Sequence, residues 1–238
     1  MDLAIDIGNT RAKIAFFEGR ELIKYLVSSH KHIERTIQEA KLEYDDCIIS
    51  STKDISSLDL KEEFLEMSLI LDHKTPLPIK LNYNTPETLG MDRIANAVGA
   101  ISEFPNTDLM IVDIGTCITY DFITKEKEFL GGNISPGFHL RIRAMNSYTD
   151  KLPLIDLSEE HTFIGTSTEE ALNNGVMIGC ISEVEHYCDT FLEMYEEGKI
   201  VITGGDTEIF AKALKNSIFA NLFLTLRGSN EILLYNKS

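Results

Sequence analysis

The sequence of 238 residues contains few basic residues, with 22 lysines and arginines against 38 aspartates and glutamates and a formal net charge of -16 at pH 7. Proteins that bind nucleic acid or an anionic membrane surface usually present a basic patch, so this charge argues against both kinds of partner. Any anionic ligand must therefore be held by local dipoles and cations.

Long apolar runs are also absent. No stretch reaches the roughly 18 residues that a membrane span needs, and MDLAIDIGNT has neither the basic start nor the apolar core of a secretory signal. The four cysteines, Cys47, Cys117, Cys180 and Cys188, include no C-x-x-C pair, and a chain of this length does not depend on disulfides. We expect a cytoplasmic protein with reduced thiols.

Low-complexity tracts and Pro/Gly-rich linkers are missing as well, but one short pattern occurs twice. AIDIGNTRAKIAFF, residues 4–17, sets an Asp and a glycine turn between apolar runs, and IVDIGTCITYDFI, residues 111–123, repeats that arrangement. An internal repeat of this size predicts two like-folded halves. We expect an N-terminal half over residues 1–105 and a C-terminal half over residues 106–238.

Short apolar stretches rich in β-branched and aromatic residues predict strands in both halves. They are LAID, KIAFF, LIKYLV, DCIIS, LMIVD, ITYDFI and KIVIT. Helical spacing occurs in HIERTIQEAKL, from about Asp92 to Ile101, and in a longer stretch that begins near TSTEEAL. This alternation predicts an α/β chain with two mixed sheets, each flanked by helices.

The repeated turns suggest phosphate binding. Glycine permits close approach of a ligand, and the following backbone N–H groups and Thr hydroxyl can point at one anion. Asp6 and Asp113 precede the two turns and would repel a phosphate unless a cation lay between them. Two facing turns of this kind would hold a nucleoside triphosphate with its cation. The alternative is that both are ordinary turns, with Asp and Gly present for backbone reasons.

A third element, VITGGD at residues 201–206, runs from a strand through Gly204 and Gly205 into a helix. Glycines at a strand-to-helix turn let a flat or anionic ligand lie against the backbone. Such a pair alone more often has a structural explanation. Together with the two aspartate-glycine turns it favours a nucleotide site.

DIGNT, DIGT and TGG, in this order, resemble the two phosphate motifs and the adenosine motif of the acetate kinase, sugar kinase, Hsp70 and actin superfamily. YNTPETLGMDRIANAVGA (83–100), LGGNISPGFHLRIRAM (130–145), TDKLPLI (149–155) and GTSTEEALNNGVMIG (165–179) resemble the type III pantothenate kinases. The resemblance implies the duplicated actin-like ATPase fold of two similar ribonuclease-H-like halves. It also implies ATP-dependent phosphorylation of pantothenate to 4'-phosphopantothenate, the first step of coenzyme A biosynthesis.

The resemblance also assigns roles to matching positions. Asp92 takes the place of the general base, Asp113 that of the ligand for a monovalent cation, K⁺ or NH4⁺, and Asp6 that of a ligand for the Mg²⁺ or other divalent ion that accompanies ATP. The implied pantothenate contacts are Tyr83, Gly90, Met91, Asp92, Arg93 and Thr168. The implied ATP contacts are Asp6, Ile7, Gly8, Asn9, Thr10, Arg11, Ala12, Lys13, Thr116, Gly204 and Gly205.

Several of these residues have structural alternatives. Asp92 and Arg93 could be a first-turn aspartate beside a solvated arginine, and Thr168 could belong to a helix cap. Cys117 stands beside the second turn, either as a buried small residue or as a thiol that makes activity sensitive to oxidation. The ending LTLRGSNEIL matches the family only loosely, so the resemblance does not assign the residues at the edge of the adenosine pocket.

The resemblance implies a homodimer, with the helix around Gly175 and Gly179 and the segment 138–145 as candidate interfaces. Because fold similarity does not establish catalysis, a non-catalytic accessory or regulatory relative and a kinase of another small acceptor stay open. His30 and His32 lack the helical spacing of metal ligands and are expected at the surface.

Overall fold

A computed structural model describes residues 1–213 and 218–237. The chain groups into two compact units, the first formed by Met1–Asn106, Ile123–Gly131 and Phe223–Ser238 and the second by Thr107–Phe122 and Gly132–Leu222. These units are built from non-contiguous segments, whereas the sequence repeat predicts a division into the contiguous halves 1–105 and 106–238, which stays a prediction. Residues 214–217 and 238, which fall in the second of those halves, lie outside the described residues.

The first unit contains a five-stranded sheet in the order β3-β2-β1-β4-β5. The strands are β1 (Asp2–Ile7), β2 (Ala12–Glu18), β3 (Glu21–Ser28), β4 (Asp46–Ser51) and β5 (Ser68–Ile70). β2 pairs antiparallel with β1 and β3, whereas β4 pairs parallel with β1 and β5. Every residue of β1 is buried, as expected for a central strand that is covered on both faces. A short strand β6 (Lys80–Leu81) pairs parallel with Glu128 and Phe129 of the same unit.

A second sheet, most of which belongs to the second unit, repeats this arrangement. Besides β6 at one edge, it contains β7 (Leu109–Ile114), β8 (Cys117–Ile123), β9 (Glu128–Pro136), β10 (Lys199–Thr203) and β11 (Ile218–Ala220), in the order β11-β10-β7-β8-β9-β6. Starting from β9, the order β9-β8-β7-β10-β11 corresponds strand for strand to β3-β2-β1-β4-β5. The parallel pairs of β10 with β7 and β11 also match those of β4. This confirms the prediction of two similar halves, each built on a mixed sheet.

Helices flank both sheets. In chain order they are α1 (Ile33–Ala40), α2 (Glu62–Glu66), α3 (Met91–Glu103), α4 (Phe138–Ser147), α5 (Thr168–Met194), α6 (Thr207–Ala213) and α7 (Leu224–Lys237). α1 buries Ile33, Ile37 and Ala40, the residues that its helical spacing singled out, against the first sheet. α5 buries Val176, Met177, Cys180 and Val184 in the core of the second unit. Along the described chain, no helix has the length and apolar character needed to cross a membrane.

Helices α3 and α7 of the first unit approach each other closely. A Cβ atom on Gly228 of α7 would lie 2.8 Å from the Gly99 backbone nitrogen of α3, and one on Gly99 would lie 2.6 Å from the Leu224 carbonyl oxygen. Real Cβ atoms do not tolerate such distances, because interiors are close-packed. Helix packing therefore explains Gly228, whose segment the sequence analysis considered only as an edge of the adenosine pocket. The same contact fixes the position of α3, which carries Asp92 and Arg93.

Candidate active site

The first aspartate-glycine turn connects β1 to β2. Asp6 is 8% exposed near the end of β1 and lies opposite Lys13 in the strand register. The Gly8 N–H donates to the Arg11 carbonyl over 3.1 Å, which closes the turn. The turn residues Asn9, Thr10 and Arg11 are exposed, whereas Ile7 and Ala12 are buried in the core. The turn thus presents backbone and hydroxyl groups beside a buried carboxylate, a combination suited to a phosphate and its cation.

His30 supports this turn and was missed by the sequence analysis. Its Nε2 lies 3.0 Å from the Gly8 carbonyl oxygen, and the residue is half-buried. Because a carbonyl only accepts, Nε2 must carry the proton in this contact. His32 is exposed, as expected, whereas His30 is only partly exposed and makes a contact with the first turn that the sequence did not indicate. No local pattern could have indicated a contact with so distant a glycine.

The N-terminus of α3 holds Asp92. Its Oδ1 accepts the Arg93 backbone N–H over 2.8 Å, which places a carboxylate at the positive end of the helix dipole. Gly90 precedes the helix as its N-cap, and a Cβ atom there would lie 2.5 Å from the same Oδ1. A side chain at position 90 would therefore displace the carboxylate. Met91 and Asp92 are both half-buried, so the first turn remains accessible.

Arg93 is buried, with 5% of the residue exposed. This differs from the alternative of a solvated arginine beside a first-turn aspartate. The guanidinium carbon lies 6.0 Å from the ring centroids of both Tyr83 and Phe129, at the outer limit for a cation–π contact. A buried planar cation beside two aromatic rings is well suited to a carboxylate, which it can bind through two parallel hydrogen bonds.

The second aspartate-glycine turn connects β7 to β8. The Gly115 N–H donates to the Cys117 carbonyl over 3.0 Å, and Thr116 between them is exposed. Asp113, near the end of β7, is half-buried. The Thr116 carbonyl in turn accepts the Gly137 N–H over 3.0 Å. An exposed hydroxyl follows a carboxylate here, as it does in the first turn.

The glycine pair after β10 lies directly beside this second turn. Thr203 and Asp113 are register partners in the parallel pair of β10 and β7. Gly204 has a φ of +101°, and a Cβ atom on it would lie 2.6 Å from Asp113 Oδ1. Gly205 is exposed, and a Cβ atom on it would have no neighbouring heavy atom within 4 Å. The structure therefore brings Asp113, Gly204 and Gly205 to one end of the second sheet.

Asp206 completes the strand-to-helix turn. Its backbone N–H donates to the Ile114 carbonyl over 3.0 Å, and the Thr207 hydroxyl donates to the Gly204 carbonyl over 2.9 Å. Burial raises the pKa of Asp206, and the charge of His139 only partly offsets this effect. A partly desolvated carboxylate beside the second turn favours a nearby cation or hydrogen-bond donor.

Thr168 begins α5 and lies on a cavity. The helix cap is made by the Ser167 hydroxyl, which accepts the Glu170 N–H over 3.2 Å, while the Glu170 carboxylate accepts the Thr166 N–H over 2.7 Å. Thr168 is exposed and lines a mostly apolar cavity of about 580 Å³ together with Arg141 and residues of α4 and α5. Among the described residues, the lining of this cavity includes none of the ATP contacts expected from the sequence.

Comparison with known proteins identifies the family. The sequence model of the type III pantothenate kinases matches residues 2–190. The chain belongs to the type III pantothenate kinase family. The type III pantothenate kinase of Phocaeicola vulgatus is 40% identical over 239 residues, which cover 99% of each chain. That of Flavobacterium johnsoniae is 37% identical over 243 residues, covering 99% of this chain and 98% of the relative. The family expected from the sequence is thereby confirmed.

Solved structures agree with the fold. A Baf family protein from Campylobacter jejuni has a TM-score of 0.65 at 22% identity, over 99% of this chain and 98% of that one. The ADPNP-bound activator of 2-hydroxyisocaproyl-CoA dehydratase from Clostridium difficile has a TM-score of 0.56 at 13% identity, over 99% and 97%. At these identities the likeness concerns the fold alone, and it confirms the duplicated actin-like ATPase fold.

Proposed function

We propose that this type III pantothenate kinase family member transfers the γ-phosphate of ATP to the primary hydroxyl of pantothenate in the cytoplasm. The observation that carries the proposal is the pair at the start of α3, where the half-buried Asp92, whose carboxylate accepts the Arg93 backbone N–H, is followed by the buried Arg93. Pantothenate offers a carboxylate and a hydroxyl, the two groups that such a pair can bind. Full-length similarity to type III pantothenate kinases supports the choice of substrate.

Asp92 acts as the general base in this proposal. Phosphoryl transfer has a loose transition state, so positioning and charge neutralisation supply most of the catalysis. Asp92 needs only to orient the hydroxyl and to accept its proton late in the reaction. The hydrogen bond from the Arg93 N–H limits the rotation of the carboxylate, and Gly90 leaves room for it. Arg93, with Tyr83 and Met91 nearby in the sequence, binds the carboxylate end.

The two aspartate-glycine turns bind the triphosphate in this proposal. The first turn, from Asp6 to Lys13, and Thr116 in the second contact the phosphates, and Gly204 and Gly205 border the adenosine. Their polar groups include backbone N–H groups and exposed Thr10 and Thr116 hydroxyls, which suit an anion.

The cations expected with ATP fit the oxygen donors of these turns. Among the described residues, His, Cys, Asp and Glu side chains form no group of at least three that could hold a metal ion alone. Magnesium is commonly bound through one or two carboxylates together with substrate phosphates, so a single Asp6 beside the first turn is sufficient. Asp113 would hold the monovalent cation. When bound, these ions neutralise the negative charge of the triphosphate.

A homodimer is part of the proposal. The second unit exposes large apolar side chains along one stretch of sequence, namely Ile134, Tyr148, Leu154, Phe163 and Ile164. Gly175 of α5 has open space where a side chain would be, which permits close approach of another chain. Exposed apolar surface of this kind commonly marks a protein interface. Thr168, the first residue of the same helix, would then meet pantothenate near the interface.

A direct product assay tests the activity. Purified protein is mixed with ATP, Mg²⁺ and pantothenate, with K⁺ present or absent, and 4'-phosphopantothenate is sought by mass spectrometry. A panel of sugars and other small alcohols serves as the acceptor control. We expect product from pantothenate only, with more in K⁺. Folded protein that binds ATP but phosphorylates nothing would favour the alternative of a non-catalytic regulator. Product from another acceptor would overturn the assignment of pantothenate as the substrate.

A further inference from the structure

Glu183 of α5 collects hydrogen bonds from side chains on separate elements of the second unit. The Tyr120 hydroxyl of β8 donates to Oε1 over 2.8 Å, and the Ser135 hydroxyl of β9 donates to the same oxygen. The Arg141 guanidinium of α4 donates through Nη2 to Oε2. The Tyr120 ring also stacks on Tyr187, one turn further along α5, with centroids 3.8 Å apart.

Arg141 also links Glu183 to the second aspartate-glycine turn, through residues 136 and 137. Arg141 Nε donates to the Pro136 carbonyl over 2.8 Å, and the Arg141 backbone N–H donates to the Gly137 carbonyl over 3.0 Å. The Gly137 N–H then donates to the Thr116 carbonyl over 3.0 Å. A Cβ atom on Gly137 would lie 2.9 Å from that same oxygen, so the two segments are in close contact. Glu183 thus fixes the Ser135-Pro136-Gly137 segment that supports Thr116.

We infer that Glu183 is a positioning residue for ATP binding, which acts through Ser135 and Arg141 on the segment that holds Thr116 in place. The inference rests on the proposed role of Thr116 as a phosphate contact. Glu183 itself touches neither substrate. Its contribution is to reduce the freedom of the second turn before ATP arrives, which lowers the entropic cost of binding.

The charge of Glu183 is essential to this arrangement. The Glu183 and Arg141 side chains are 27% and 22% exposed, so neither is fully screened by water. Burial alone would raise the pKa of Glu183, but the hydrogen bonds from Ser135, Arg141 and Tyr120 together lower it. A glutamine would keep the shape but lose the charge: its amide oxygen could accept from the Arg141 guanidinium, but its NH₂ would then face the Ser135 and Tyr120 hydroxyls, which would lose their shared acceptor.

The test compares Glu183→Gln and Ser135→Ala with Glu185→Gln. Glu185 lies on the same helix, and among the described residues its side chain makes no hydrogen bond or ion pair, so it controls for the loss of one charge from α5. The dissociation constant of a non-hydrolysable ATP analogue is measured by calorimetry, and KM is measured for ATP and for pantothenate. We expect Glu183→Gln to weaken analogue binding and raise the KM for ATP by about tenfold. Ser135→Ala should have a smaller effect in the same direction, and Glu185→Gln none.

The readouts separate positioning from general destabilisation. Loss of stability alone would lower Tm without a selective change in the KM for ATP, and a disturbed dimer would change the KM for pantothenate. If Glu183→Gln does not fold, the analogue affinity of Ser135→Ala tests the inference, since this variant removes one hydroxyl and keeps the Arg141–Glu183 ion pair. Unchanged analogue affinity in the folded variants would overturn the inference while leaving the kinase activity intact. A wild type that binds the analogue but makes no phosphopantothenate would instead refute the proposed function alone.

Discussion

His30 Nε2 lies 3.0 Å from the carbonyl oxygen of Gly8, and this contact supports the first aspartate-glycine turn from outside the β1–β2 hairpin. The Ile7 carbonyl, one residue earlier, accepts the Thr52 N–H over 3.0 Å. Two chain segments that follow β3 and β4 therefore hold the end of β1. Under the proposed function, a turn held in this way would need little further ordering when ATP binds.

Replacement of His30 by alanine should weaken ATP binding. The lost hydrogen bond leaves the Gly8 carbonyl less constrained, so we expect the KM for ATP to rise by about fivefold, in line with a net hydrogen-bond contribution near 1 kcal/mol. The KM for pantothenate should change little. His32→Ala is the matched control, because His32 is exposed and, in the described part of the chain, its ring hydrogen-bonds only with the Ser29 hydroxyl. Equal effects of the two variants would contradict the role of His30.

The two glycines after β10 should differ in their tolerance of alanine. Gly204 has a φ of +101°, and a Cβ atom would lie 2.6 Å from Asp113 Oδ1, whereas Gly205 has open space around it. Gly204→Ala should lower the free energy of unfolding by about 2 kcal/mol or more, from backbone strain and overpacking. It should also weaken ATP binding, since Asp113 must move. Gly205→Ala should keep wild-type Tm, and a similar loss in both variants would refute this explanation.

Potassium dependence should be sensitive to Asp113. If this carboxylate holds the monovalent cation, the KM for ATP of the wild type should fall when K⁺ replaces a bulky organic cation at constant ionic strength. Asp113→Asn removes the charge with little change in size, so most of that K⁺ response should disappear. The measurement is the ratio of the two KM values for each protein. A variant that still responds fully to K⁺ would show that the cation is bound elsewhere.

Thiol labelling should select Cys117. Burial raises the pKa of Cys47 and of Cys188 to about 12 and that of Cys180 to about 11, so these thiols are mostly protonated at pH 8 and shielded from reagents. Cys117 is half-buried at the start of β8, beside Thr116. Limited iodoacetamide treatment, read by peptide mass spectrometry, should modify Cys117 first and should be slowed by ATP. Cys117→Ala should be active and resistant, and faster labelling of a buried cysteine would contradict the expectation.

Much of the fold could be predicted from the sequence because its signals are local. The apolar runs of β1, β2, β7 and β10 and the periodic spacing of α1 depend on neighbouring residues alone, and the repeat of the aspartate-glycine turns indicated the duplication. Strand β9 (Glu128–Pro136) was not predicted, since a segment rich in Gly that ends at a Pro normally indicates a loop. Its pairing partners in the sheet override that local preference.

The sequence motifs of the candidate site could be recognised in advance, but the residues that hold those motifs in place could not. Asp6, Asp92 and Asp113 stand in short patterns, whereas the burial of Arg93 depends on Phe129, a residue from a distant segment. The contacts of His30 with Gly8 and of Glu183 with Ser135 are equally remote in sequence. Such pairs form only when the chain folds, and a single sequence has no periodicity that would reveal them.

The most direct test of the proposed mechanism is the turnover of Asp92→Asn with ATP, Mg²⁺, K⁺ and pantothenate. Glu87→Gln, an exposed carboxylate change just before α3, is the control. We predict that Asp92→Asn binds the ATP analogue like the wild type but loses about 100-fold or more in kcat, the usual size of a general-base contribution. Glu87→Gln should be fully active. Phosphopantothenate formation by Asp92→Asn at the wild-type rate would contradict the assignment of the base.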